Sequence, residues 1–67
     1  MNIICNGQTW PEAPSTISAL LLARWGEPCP AGIAVAVNQD ILPRQEWPTH
    51  SLLEGDVVEI VTAVQGG

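Results

Sequence analysis

The sequence predicts an α+β domain, a mixed sheet of four to five short strands with one main helix across one face. Three observations predict it. Apolar residues recur at a two-residue period near both ends of the chain, as half-buried strands require. One segment, Ile17–Arg24, switches to helical spacing. Turn residues punctuate everything between. At 67 residues there is room for one domain, 1–67, and its 46% apolar content suffices for a core and argues against disorder.

Met1–Asn6 reads as the first strand, with Met1, Ile3 and Cys5 on one face. Asn6-Gly7 signals a tight hairpin because both residues tolerate positive φ. Thr9-Trp10 begins the returning strand, which Pro11 and Pro14 cut short. Thr16 or Ser15 can cap the helix that follows, whose Ile17, Leu20, Leu21 and Arg24 share one face and which Gly26 ends. "EPCPAG" is a loop. Ile33–Val37 is a continuous apolar run, read as a strand buried on both faces. Asn38-Gln39-Asp40 turns the chain into a short strand at Ile41-Leu42, ended by Pro43. "RQEWPTHS" is irregular or one short helical turn, and Glu54-Gly55-Asp56 turns into a final strand over Val57–Val64. Val58, Ile60 and Val64 fall on one side of it, and Val57, Val61 and Ala63 on the other.

A helix between the first hairpin and the later strands can lie across one sheet face. The chain between the first and last strands is long enough for a crossover, so those two can pair in parallel at the centre. This arrangement is a β-grasp roll.

Seven acidic residues oppose two basic ones, Arg24 and Arg44, for a net charge of −5. That balance disfavours nucleic acid and anionic membrane and favours a partner with a basic docking surface. No charged leader precedes an apolar core, and no stretch suits a bilayer span, so neither a signal peptide nor a membrane segment is expected. Two cysteines are too few for the disulfide framework of a small secreted domain, which points to the cytoplasm.

No constellation of nucleophile, base and orienter appears, and His50 has no second ligand at a zinc-like spacing. An enzyme is therefore not expected, and no metal site. Cys5 is expected in the core; Cys29, between Pro28 and Pro30, is expected exposed, with no cation near it in sequence. Asp56 reads as a turn residue, and Trp47 as packing over a sheet edge. Trp10 and Trp25 are expected to be partly exposed. Arg44 either pairs with Glu46 or another carboxylate or sits in a partner interface. With the helix on one face only, Val57, Val61 and Ala63 form an exposed apolar stripe, the candidate docking surface.

The strand that carries this stripe runs into Gln65-Gly66-Gly67. Glycines contribute nothing to a sheet, so 65–67 is read either as a mobile slack tail or as a thin lead that presents the terminal carboxylate. The combination of Asn38, Leu42-Pro43-Arg44, Trp47, Leu52-x-Glu54-Gly55-Asp56 and Gly66-Gly67 resembles the ThiS family, the ubiquitin-like sulfur-carrier proteins of thiazole biosynthesis. The second half of the chain carries the resemblance closely; the first half matches in layout.

That resemblance implies a protein co-substrate without a catalytic site of its own. A separate ATP-dependent activating enzyme adenylates the Gly67 carboxylate, and a sulfur donor such as a cysteine desulfurase supplies the sulfur. The resulting thiocarboxylate serves thiazole synthase in making the thiamine thiazole ring. The carrier itself needs no cofactor, since ATP and the sulfur source belong to the activating enzyme. Gln65, Gly66 and Gly67 together form the lead that enters narrow clefts, where a Cβ would clash. The chain contains no lysine, so an activated terminus has no ε-amine of its own kind to acylate. Alternatives remain a carrier for molybdopterin, amino-acid or tRNA thiolation, a ubiquitin-like interaction module, and a protein modifier joined through Gly67.

Overall fold

The computed structural model describes residues 1–62; Ala63, Val64 and the expected lead at 65–67 lie outside the described residues. Strands β1 (Ile3–Cys5) and β2 (Gln8–Trp10) form the first hairpin. Its turn residues Asn6 and Gly7 sit at φ 49° and 81°, the left-handed geometry that matches the twist of a two-residue hairpin. Helix α1 (Ile17–Trp25) starts where the Thr16 side-chain oxygen accepts from the Ala19 N–H at 3.1 Å. It ends at Gly26, whose φ of 79° no side chain adopts cheaply. Strands β3 (Ile33–Val37) and β4 (Asp40–Leu42) are joined by a second left-handed pair, Asn38 and Gln39, at φ 50° and 73°. Asp40, expected in that turn, instead opens β4. A single 3₁₀ turn at Arg44–Glu46 and a long irregular stretch lead to β5 (Val57–Thr62).

The sheet order is β2-β1-β5-β3-β4, with β1 and β5 parallel at the centre as the crossover predicts. Ile4 lies opposite Val57 and Cys5 opposite Val58. β3 runs antiparallel to β5 from Val37–Val58 to Ile33–Thr62. The single helix lays Ile17, Leu20 and Leu21 on the inward residues of β1, β3 and β5, and all of these are buried. Each such side chain contributes about 1.5–3 kcal/mol on burial. The result is a β-grasp roll.

Three expectations are corrected by the packing. Met1, expected to open the first strand on the face of Ile3 and Cys5, is exposed and outside the strand, whose pairing begins only at Ile3. β3 is buried on one face, not two: Val35 and Val37 face the helix while Ala34 is exposed. An apolar run reads the same whether one or both faces are covered, and here one helix covers one face. Trp47 is almost wholly buried in the core instead of lying over a sheet edge. Its backbone carbonyl accepts from the Ser18 N–H at 3.1 Å, which draws the segment after the 3₁₀ turn against the start of α1.

Candidate functional site

The uncovered face of the sheet is apolar. The pleat that sends Val58 and Ile60 inward sends Val57 and Val61 outward, as expected. The same alternation brings Ile4 of β1 beside Val57 and Ala34 of β3 beside Val61. One strand further, Ile41 of β4 lies opposite Ala36. Val61 and Ile41 are 61% and 74% exposed, and with Ile4 and Val57 they leave this face open. Glu59, facing Ala36, is the one charge in the middle of this surface among the described residues. The sequence reading found Val57 and Val61; Ala63 lies outside the described residues. It missed Ile4 and Ile41, although the period-2 alternation against the buried Ile3, Cys5 and Leu42 was there to find them.

β5 is both the spine of this face and the strand that runs on toward Gly66-Gly67. Its position is held at two places by asparagine side chains from the two hairpin turns. The Asn38 Oδ1 accepts from the Val57 N–H at 2.9 Å. The Asn6 carboxamide accepts from the Ile60 N–H at 2.8 Å and donates to the Ile60 carbonyl at 3.1 Å. Asp56 completes the first of these grips. One carboxylate oxygen accepts from Asn38 Nδ2 at 3.0 Å and the other from the Leu53 N–H at 2.8 Å, which suits a buried turn residue.

Arg44 braces the molecule internally. Its guanidinium donates to the carbonyl oxygens of Pro30 at 2.9 Å and Ile33 at 3.4 Å, and lies over the Trp47 ring at 4.6 Å. These partners are backbone carbonyls and an aromatic face, where the sequence suggested a carboxylate such as Glu46. The structure does not gather Arg44 into the stripe with Val57 and Val61. It does bring Arg44 Nη1 to 3.0 Å from the Cys29 sulfur, the cation that the linear sequence did not place there. Cys29 is exposed and free; Cys5 is free and buried, and burial pushes its thiol pKa up, with the Arg24 charge opposing. His50 is partly exposed. Among the described residues, no three His, Cys, Asp or Glu side chains are grouped closely enough to hold a metal ion, and no helix is long and apolar enough to cross a membrane.

The family model of the ThiS family matches residues 3–67. The sulfur carrier protein ThiS of Escherichia coli (strain K12) is 40% identical over 37 residues, which cover 55% of this chain and 56% of that protein. The match thus spans little more than half the length of that curated relative. A crystal structure of a thiamine biosynthesis protein (ThiS) from Geobacter metallireducens superposes with a TM-score of 0.72 at 26% identity, covering all of both chains. An NMR solution structure of a thiamine biosynthesis protein from the same organism gives 0.73 at 28% identity, covering all of this chain and 88% of the other.

Proposed function

This chain belongs to the ThiS family, and from that membership we propose that it is a sulfur carrier of thiamine biosynthesis whose reactive group is the Gly67 carboxylate. A carboxylate is a poor electrophile, because its charge repels nucleophiles and oxide does not leave. An activating enzyme overcomes this with ATP: a carboxylate oxygen attacks the α-phosphorus, pyrophosphate leaves, and an acyl-adenylate forms. The outer sulfur of a persulfide, carried by a donor such as a cysteine desulfurase, then displaces AMP. A thiol cleaves the resulting acyl disulfide and leaves the terminal thiocarboxylate, the form in which sulfur reaches thiazole synthase.

In this reading the protein supplies positioning, and its enzymes supply the catalysis. Gln65, Gly66 and Gly67 are the lead that enters their clefts. Val57 and Val61, together with Ile4, form the docking face beside the strand that carries the lead. Ala63 continues that stripe in the sequence. Arg44, committed to internal carbonyls, is the weaker docking candidate. The net charge of −5 favours enzymes with a basic surface around the apolar contact. The free thiols of Cys5 and Cys29 accord with a reducing cytoplasm.

The observation that carries the proposal is that the family match runs through the strand bearing the exposed stripe to Gly67 itself. The test is the intact mass after incubation with ATP, a sulfur source and the activating enzyme of the same cell. Exchange of one oxygen for sulfur at the terminus supports the carrier. A high-mass adduct would instead mark a protein modifier, and an unchanged mass an interaction module. Deleting Gly67 is expected to abolish the exchange while leaving the far-ultraviolet circular dichroism spectrum intact.

A further inference from the structure

Asn6 is a turn residue by its backbone, yet its side chain belongs to the sheet. Main-chain pairing of β1 with β5 reaches Asn6, whose N–H donates to the Val58 carbonyl at 3.0 Å. Beyond that point the chain has turned into β2 and no longer runs beside β5. The Asn6 carboxamide takes the next rung, accepting from the Ile60 N–H at 2.8 Å and donating to the Ile60 carbonyl at 3.1 Å. A primary amide offers the same donor and acceptor as a peptide group, so Ile60 receives on this edge the two bonds a strand neighbour would make. The opposite edge of β5 is paired with β3 as far as Thr62. Few other side chains could do this. The position needs φ near 50°, which asparagine tolerates, and it needs both a donor and an acceptor on a short stem.

We propose that Asn6 is a positioning residue that sets where the reactive terminus leaves the body of the domain; the inference rests on the carrier reading given above. With the carboxamide in place, β5 is held on both edges through Ile60, and seven residues (61–67) separate that point from the terminus. Without it the last residue held on both edges is Val58, and nine residues (59–67) follow. The strand then rests on β3 alone beyond Val58, so its direction of exit from the sheet is less closely fixed while Val61, paired with Ala34, keeps its place on the docking face. A less closely fixed exit lowers the population of the terminus aligned for attack on ATP, and alignment is the carrier's contribution to the rate.

Two variants of the full chain test this. Asn6→Gly keeps the left-handed turn and deletes the carboxamide, whereas Asn6→Asp keeps the acceptor for the Ile60 N–H and loses the donor. Amide hydrogen exchange followed by NMR reads the grip directly. In Asn6→Gly the Ile60 amide is expected to exchange about tenfold faster, with a smaller change in Asn6→Asp. Glu59 and Val61, opposite Ala36 and Ala34 of β3, serve as controls and are expected to move little. In ATP–pyrophosphate exchange with the activating enzyme, Asn6→Gly is expected to lower kcat about tenfold while KM, set by docking of the body, stays within about threefold. Unchanged Ile60 exchange overturns the grip. Faster Ile60 exchange with unchanged kcat overturns the positioning role and leaves the carrier reading standing. A wild-type protein that its activating enzyme does not adenylate overturns the carrier reading and the positioning role with it, while the exchange data still decide the grip. If all β5 amides accelerate together in Asn6→Gly, Asn6→Asp decides: restored Ile60 protection supports the grip, and its absence overturns it.

Discussion

The indole N–H of Trp47 donates to the carbonyl oxygen of Leu42 at 3.0 Å, and the buried ring lies beneath the guanidinium of Arg44 at 4.6 Å. This contact closes the end of the core where β4 gives way to the 3₁₀ turn. Trp47→Phe keeps an aromatic ring but leaves the Leu42 carbonyl without its donor and opens a gap beside it. The expected loss is about 2–4 kcal/mol in urea unfolding followed by far-ultraviolet circular dichroism. A loss below about 1 kcal/mol would show that water replaces the indole at no cost.

The two thiols are expected to behave oppositely. Cys29 is exposed and Cys5 buried, so an alkylating agent added to the native protein should label Cys29 alone, with Cys5 reacting only on unfolding. Burial also raises the Cys5 pKa above its unfolded value. The protonated thiol is the form the fold favours, so its contribution is complete below the unfolded pKa, about 8.5, and fades as pH rises through the folded one. Wild-type stability is therefore expected to decline at alkaline pH, and Cys5→Ala, though less stable at neutral pH, should show a flatter alkaline limb. Equal slopes would contradict the assignment.

At the acidic end the sign reverses. Glu54 Oε1 accepts from the Asn2 N–H at 2.9 Å, and this bond to the charged form holds the carboxyl below its ordinary range. A lowered pKa gives a contribution present above the unfolded carboxylate pKa and lost as pH falls through the folded one. Glu54 is fully exposed, so the effect is small. Comparing thermal unfolding of wild type and Glu54→Gln across pH 2 to 6 should show the variant with the shallower acid dependence, a window that spans about two units either side of a carboxylate pKa.

Adjacent residues of β5 separate docking from folding. Val61→Asp places a charge on the open face and is expected to change stability by less than about 1 kcal/mol. Its affinity for the activating enzyme should fall by about tenfold or more, because the carboxylate is desolvated unpaired in the complex. Val58→Asp puts the same group in the core and is expected not to fold. Titration calorimetry and circular dichroism on the two proteins distinguish these outcomes; undiminished binding by Val61→Asp would remove the stripe from the docking surface.

Much of the fold was legible because its signals are local. Asn6-Gly7 marked the first hairpin, Thr16 and Gly26 the limits of the helix, and the alternation of Val57–Val61 the two faces of the last strand. The exposed half of that alternation was legible too, since a single predicted helix leaves one sheet face bare. The chemistry proposed for Gly67 came from residues resembling a family pattern and from the family match, not from any arrangement of side chains.

Other features were set by partners far along the chain. Asn6 reads as a turn residue until β5, 54 positions later, presents Ile60 to its carboxamide. Cys29 and Arg44 are 15 residues apart and meet because the loop after the helix folds over the end of β4. Trp47 looks like a surface aromatic beside a proline until a bond to Ser18 draws its backbone against the helix. The amino-acid sequence by itself determined which segments form strands, helix and turns, because those choices depend on neighbours within a few residues. Tertiary structure alone decided which polar groups grip β5, because that depends on strand order and on which turns the fold brings against the strand.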